Sequence, residues 1–312
     1  MELGIVVPNS GRLATAQALY RIAEHAEALG FAVVWTADHL ALPVATRASY
    51  PYTRAHGVSL DPDWPFLEPL VALAGIAART RRIGLGVSVY LAALRHPIVT
   101  AKLVASLDQL SGGRVLLGVG AGWIPEEYAA LGIGWSERGR VLDEHLECLR
   151  ALWTQARPAH AGPCYAFDGI GFAPKPVRGS VPIWIGGNSQ PALRRAARLG
   201  DGWHAIDLSP AELRARLAEL DALCAQHGRR RDELVVSMRS QIALTERPVA
   251  SAERPHPLCG PLDEVVADLR ELRALGVGHL ALWPSAREID LDTTLARMDE
   301  IAERVVPALA AS

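Results

Sequence analysis

The stretch Gly113-Arg-Val-Leu-Leu-Gly-Val-Gly-Ala-Gly-Trp123 decides the fold. Val115 to Val119 is apolar without alternation, the pattern of a strand covered on both faces in a parallel sheet. Gly118, Gly120 and Gly122 follow at every second position. Glycines there are expected to reach positive φ and to let a flat ligand come close to the backbone. Trp123 then sets a large ring at the mouth. A parallel strand that ends this way ends at a ligand site.

Outward from this segment the chain alternates short apolar strands with amphipathic helices. Strands are expected at Leu3–Val7, Ala32–Thr36, Ile83–Tyr90, Val115–Val119, Pro182–Ile185, Gly202–Ala205, Leu234–Leu244 and His279–Trp283. Helices are expected at Thr15–Leu29, Leu67–Arg79, Pro97–Leu110, Ser136–Trp153, Pro191–Leu199, Pro210–His227, Asp263–Ala274 and Leu291–Val306. Gly30 and Gly276 read as C-terminal helix stops, and Ser136 and Ser209 as N-caps. Strict alternation implies a parallel sheet with helices outside, and eight units favour closure. The expectation is an α/β fold, a (β/α)8 TIM barrel, as one domain over residues 1–312. Insertions at 41–65 and 245–259 follow strands and fall on the catalytic face. The first holds Arg47, Arg54, Tyr50, Tyr52 and Trp64. A Pro/Gly-rich connector, 157–181, follows a helix and contains a hairpin around Tyr165–Phe172; it must stay on the opposite face or climb back over the barrel.

Composition narrows the function. At 312 residues with 50% hydrophobic content, a barrel of this size can form one large core. A net charge of −2 makes no electrostatic case for nucleic acid or an acidic membrane. The four cysteines, Cys148, Cys164, Cys224 and Cys259, are far apart and form no C-x-x-C pair. The N-terminus lacks the pattern of a signal peptide and no apolar run is long enough to span a bilayer, so a cytoplasmic protein is expected.

Three strand ends carry candidate chemistry. The second strand ends in Trp35-Thr-Ala-Asp38-His39; His39 can exchange a proton and Asp38 can orient it, unless Asp38 caps a turn and His39 packs. The fifth ends in Gly186-Gly187-Asn188-Ser189 before a helix, where exposed N–H groups and the helix dipole favour an anion. The third carries Ser88-Val89, where a bulge could press on a ring system, and Arg95-His96-Pro97 follows. Asp201 reads as a turn cap and Trp203 as a packed residue. Neither lysine, Lys102 or Lys175, stands at a strand end, which argues against a Schiff-base enzyme. No His-x-His occurs at a strand end, so no metal is expected. Neither G-x-S-x-G nor an opening G-x-G-x-x-G is present.

Gly30-Phe-Ala-Val-Val-Trp-Thr-Ala-Asp-His39, Gly113 to Trp123, Pro182-Ile-Trp-Ile-Gly-Gly187 and Asp201-Gly-Trp203 together resemble the bacterial luciferase-like superfamily, and within it the coenzyme F420-dependent oxidoreductases. The order and spacing hold from Met1 to about Trp283. The resemblance implies a deazaflavin or isoalloxazine ring across the C-terminal face of the barrel, with His39 and Asp38 beside it. Ser88-Val89 matches a non-proline cis peptide that buttresses the ring. Gly120, Ala121, Gly122 and Trp123 match its edge, and Gly186, Gly187 and Asn188 the phosphate cradle. Trp123 departs from the deazaflavin sugar-phosphate dehydrogenases, which carry an acid at that position.

The expected function is hydride transfer between coenzyme F420 and a small organic substrate, with His39 as proton donor or acceptor and Asp38 setting its tautomer. The alternatives are an FMN-dependent monooxygenase using reduced flavin and oxygen, and a non-catalytic flavin-binding barrel. A homodimer is expected, because family members commonly pair.

Overall fold

The computed structural model describes residues 1–46, 48–52, 61–247, 254, 256–284 and 290–310. Arg47, Arg54 and, within the 245–259 insertion, residues 248–253 and 255 therefore lie outside the described residues. Eight parallel strands close on themselves: β1 (Glu2–Val6), β2 (Val33–Thr36), β3 (Gly84–Tyr90), β4 (Val115–Val119), β7 (Ile183–Gly186), β8 (Gly202–Ile206), β9 (Val235–Leu244) and β11 (Val277–Trp283). The ring runs β1-β2-β3-β4-β7-β8-β9-β11 and returns to β1 through the Glu2 to Ile5 register with β11. This is the TIM barrel expected from the alternation of apolar segments. The far end of β9 carries a short extra strand, β10 (Leu258–Gly260), which the apolar pattern alone did not separate.

The helices form where local chemistry starts and stops them. α1 (Ala16–Ala28) opens on Thr15, whose hydroxyl accepts from the Ala18 amide at 3.2 Å, and buries Leu19, Ile22, Ala23 and Ala26 on one face. α2 (Pro69–Arg79) and α3 (Pro97–Ser111) each begin on a proline, where no amide partner is needed. α7 (Pro210–Gln226) opens on a complete capping box between Ser209 and Glu212. Gly30 and Gly276 adopt φ of 82° and 92°, as expected of helix stops. α8 (Leu262–Ala274) and α9 (Leu291–Glu300) follow, and a π turn over Ile301–Val305 leads into α10 (Val306–Ala310).

Two expectations are corrected on the fourth unit. Ser136 does not cap a helix: it lies in a single 3-10 turn, Trp135–Glu137, and α5 runs from Arg138 to Thr154. Ahead of it stands a short helix, α4 (Pro125–Ala130), with Pro125 in its first turn and Glu126 and Glu127 beside it. The connector after α5 climbs the outer wall. Its hairpin, β5 (His160–Ala161) with β6 (Ala166–Phe167), is shorter than expected and begins earlier. Glu144 of α5 accepts from the Cys164 and Tyr165 amides, and Tyr165 packs against His96 at the start of α3. The chain then returns along α3, where Gln109 donates to the Lys175 carbonyl.

Rings dominate the bore of the barrel beneath the site, with Val6 and Val33 packed beside them. Trp35 packs on His204 at 5.2 Å, on Trp184 at 5.6 Å and on His279 at 5.3 Å between centroids. Gly4 and Gly86 face Trp35, and a Cβ on Gly86 would lie 2.3 Å from its ring. Small residues at those positions make room for the indole.

Candidate active site at the barrel mouth

A cavity of about 960 Å³ opens at the C-terminal ends of the strands. It is at the upper end of the range usual for small-molecule sites, with room for a ring system and a second molecule. Asp38, His39, Ser88, Val89, Gly120, Ala121, Gly122, Trp123, Gly186, Gly187 and Asn188 all line it. The residues singled out from four separate βα units thus meet at one place. Tyr50, Tyr52 and Phe66 line it too, whereas Trp64 packs over Gly11 outside the lining.

The glycine bend works differently from expectation. Of Gly118, Gly120 and Gly122, Gly122 alone has positive φ, at 68°. The other two are needed for clearance. A Cβ on Gly118 would lie 2.3 Å from the Val87 carbonyl oxygen, and one on Gly120 2.5 Å from Val89 Cγ2. Gly186, on the neighbouring strand, would meet Val89 Cγ1 at 2.5 Å. Val89 is therefore seated between two glycines, and the Ser88–Val89 peptide is cis. The Ser88 hydroxyl is anchored below: its Oγ lies 2.8 Å from Nε2 of His204, whose Nδ1 lies 2.9 Å from Ser237 Oγ. Burial, with smaller contributions from His279 and Arg239, lowers the pKa of His204 to about 3, so the ring is neutral and can accept on one nitrogen while donating on the other.

The expected Asp38–His39 partnership is not found. Asp38 is buried and accepts two bonds from Arg95, at 2.7 and 2.9 Å, and one from the Leu91 amide at 2.8 Å. Burial opposes the charge of Arg95, but Asp38 outweighs it and raises the arginine's pKa. His39 is held instead by Glu127 of α4, with Nδ1 2.8 Å from Oε2. The second oxygen, Oε1, accepts from the Leu40 amide at 2.6 Å. In the neutral imidazole Nδ1–H donates to Glu127, and Nε2 is the accepting nitrogen. Phe66 and Trp123 pack edge-on against the ring at 5.6 and 6.1 Å. Trp123 is thus a wall for His39, and the acid that serves the histidine comes from four residues later. Sequence reasoning missed Glu127, although Pro125 followed by two glutamates is a helix-start signal.

The Gly186-Gly187 turn also needs correction as an anion cradle. Gly187, at φ 111°, donates its N–H to the His204 carbonyl at 3.1 Å. The Asn188 amide engages the Tyr52 hydroxyl. The Asn188 side chain pairs with Ile206, donating to its carbonyl at 2.7 Å and accepting from its amide at 2.9 Å. These donors are occupied. What faces the cavity here is the start of α6 (Gln190–Leu199), whose N-cap Ser189 makes no side-chain cap bond, together with Ser136 and Arg138. Arg138 stacks on Trp135 at 3.6 Å and donates to its carbonyl. A helix start, hydroxyls and a guanidinium fit the phosphate of a flavin or deazaflavin, and the glycine-seated Val89 offers a flat apolar bed for the ring. Asp201, expected to cap a turn, accepts from the Ile183 amide at 2.8 Å and ties down β7, and Trp203 is packed, donating to the Gly187 carbonyl.

The model of the luciferase-like monooxygenase family matches residues 1–308. The chain belongs to the luciferase-like monooxygenase family. Among luciferase-like relatives, the uncharacterized protein Rv0953c of Mycobacterium tuberculosis is 36% identical over 204 residues, 65% of this chain and 71% of the relative. The FMNH2-dependent dimethylsulfone monooxygenase of Pseudomonas putida is 32% identical over 136 residues, 42% of this chain and 38% of that protein. The solved structure of an F420-dependent secondary alcohol dehydrogenase superposes with a TM-score of 0.78 at 16% identity, over 99% of this chain and 98% of that one. Family membership makes the protein an oxidoreductase or monooxygenase and supports a flavin-type cofactor. Among the described residues no group of three or more His, Cys, Asp or Glu is arranged to hold a metal ion, and no helix is long and apolar enough to cross a membrane.

Proposed function

We propose that this luciferase-like protein transfers hydride between coenzyme F420 and a small organic substrate, with His39 handling the proton. The observation that carries the reading is the Glu127–His39 pair on the cavity wall. The bound deazaflavin supplies the hydride chemistry. Arg138, Ser136 and the start of α6 hold its phosphate end, and Val89, Gly120 and Gly186 its ring. Hydride exchange with an alcohol or carbonyl also needs a proton moved at the substrate oxygen. Nε2 of His39 has no protein partner among the described residues and is the group for that task. Glu127 fixes the tautomer and stabilises the imidazolium. Phe66 and Trp123 keep water from the ring.

The deciding experiment titrates the purified protein with F420 and with FMN, then repeats activity measurements on His39→Ala. Micromolar binding of F420 with loss of turnover in the variant is expected. Binding of FMN alone refutes the deazaflavin assignment, and full turnover without His39 refutes the proton role.

A second reading, an FMN-dependent monooxygenase, draws support from the Pseudomonas putida relative, whose name specifies FMNH2. The same titration separates the two. A homodimer is proposed through the outer face of α2 and α3, where Val71, Val99, Leu103 and Leu110 are exposed. Sedimentation velocity on wild type and Leu103→Glu tests it; a wild-type monomer rules it out.

A further inference from the structure

Three arginines among the described residues line the cavity, and their circumstances differ. Arg195 is tied to Asp143 and to the Gly139 carbonyl. Arg138 donates to the Trp135 carbonyl. The guanidinium of Arg239 has neither an ion pair nor a hydrogen bond among the described residues; its contact is the face of Trp283, 5.0 Å from the ring centroid. Ser237, two positions earlier on β9, points into the bore and bonds His204 and His279. Side chains alternate along a strand, so Arg239 points the same way one layer higher, into the mouth. It is half-buried there.

The adjacent carboxylate does not serve it. Asp207, held at φ 47°, has one oxygen on Ser240 Oγ at 2.8 Å and the other on His256 Nδ1 at 3.1 Å. Asp207 lines the cavity too, but Ser240 is on the opposite face of β9 from Arg239, and both carboxylate oxygens are bonded to groups other than the guanidinium. Around the closed ring β9 stands four strands from β3, directly across the mouth from Ser88 and Val89. The wall that fits a cofactor ring therefore confronts a guanidinium whose donors have no acceptor among the described residues. Leu208, Ile206 and Phe66 give the same cavity apolar lining.

We infer that Arg239, stacked on Trp283, is the anchor for an anionic group of the substrate, which is an apolar organic acid of the carboxylate or sulfonate class. A planar guanidinium takes such a group by two parallel hydrogen bonds, and stacking on an indole pre-sets its plane. The apolar body of the acid then lies over the cofactor wall. The inference rests on the oxidoreductase reading for what happens to the substrate, but not for the anion site itself. The same chemistry could serve the acidic tail of the cofactor, so the test separates the two.

Calorimetry measures benzoate, benzenesulfonate and neutral benzamide on protein with and without bound cofactor, for wild type, Arg239→Gln and Arg239→Lys. Wild type is expected to bind benzoate about 10–100-fold more tightly than benzamide. Arg239→Gln abolishes that preference, Arg239→Lys keeps part of it, and cofactor affinity is unchanged in both. Equal binding of benzoate and benzamide by wild type overturns the inference without reference to any variant. So does an equal loss of cofactor affinity in Arg239→Gln, which would give the arginine to the cofactor tail. Failure of wild type to bind either cofactor would sink the proposed function, while the cofactor-free comparison of the two probes still decides the anion site.

Discussion

Nδ1 of His39 lies 2.8 Å from Oε2 of Glu127, a carboxylate 88 residues away on a short helix of another βα unit. The pair is deeply shielded, with side-chain exposures of 12% and 1%. Glu127→Gln keeps the size and the acceptor for Leu40, but presents an amide to the imidazole. The ring must then either lose this bond or adopt the other tautomer. Turnover is expected to fall about 100-fold or more, with binding of the cofactor unchanged. Steady-state kinetics beside a cofactor titration checks this; wild-type turnover would remove Glu127 from the proton path.

Asp38 should respond in the opposite manner. It is the buried counter-ion of Arg95, whose guanidinium also covers the Tyr90 ring at 4.2 Å. Asp38→Asn leaves that arginine with only its longer contact to Glu68, at 3.2 Å. The expected loss of stability is about 3–5 kcal/mol, the usual consequence of breaking a buried pair. Urea unfolding of Asp38→Asn and Glu127→Gln side by side distinguishes the structural carboxylate from the positioning one.

The seat of Val89 predicts a coupling. In Gly120→Ala the new methyl meets Val89 Cγ2 at 2.5 Å, with Val89 Cβ next at 3.5 Å. The variant is expected to lose about 1–3 kcal/mol through overpacking. In a Val89→Ala background the same change should cost far less, giving a coupling energy of about 1 kcal/mol or more. Additive losses would show that the crowding is relieved elsewhere.

Three buried histidines make stability depend on acidity. Burial lowers the pKa values of His145, His204 and His279 to about 3. In the unfolded chain each titrates near 6.5. Between these values the unfolded state binds more protons, so stability falls as pH drops from about 6.5 towards 3. Each histidine contributes up to about 1.4 kcal/mol per pH unit within that window. Urea midpoints at pH 7, 6 and 5 should fall steadily, and His145→Gln should reduce the slope.

The barrel was legible because a parallel strand buried on both faces leaves a run of apolar residues that a helix between polar turns does not imitate. Val115–Val119 was read to the residue. The placement of Asp38, His39, Ser88 and Gly120 at one mouth also followed, since strand ends converge when the sheet closes. Partner choice did not follow. Asp38 and His39 adjoin in sequence, yet successive residues leaving a strand point apart, so one turns to Arg95 and the other to Glu127. Likewise Gly120 of the bend makes room for the side chain of Val89 on the preceding strand, which no local pattern encodes. Arg239 carried no motif at all; its significance comes from what Asp207 does with its two oxygens.

The ring stack of Trp35, Trp184, His204 and His279 has a kinetic consequence. It stoppers the barrel from below, so both ligands must pass through the same doorway. Under the proposed function, a tricyclic ring bedded on Val89 would be the deeper guest, and a substrate held from Arg239 would lie over it. Entry would then have an order, cofactor before substrate, and departure would reverse it. Excess substrate would trap the cofactor beneath it and slow its exchange between turnovers.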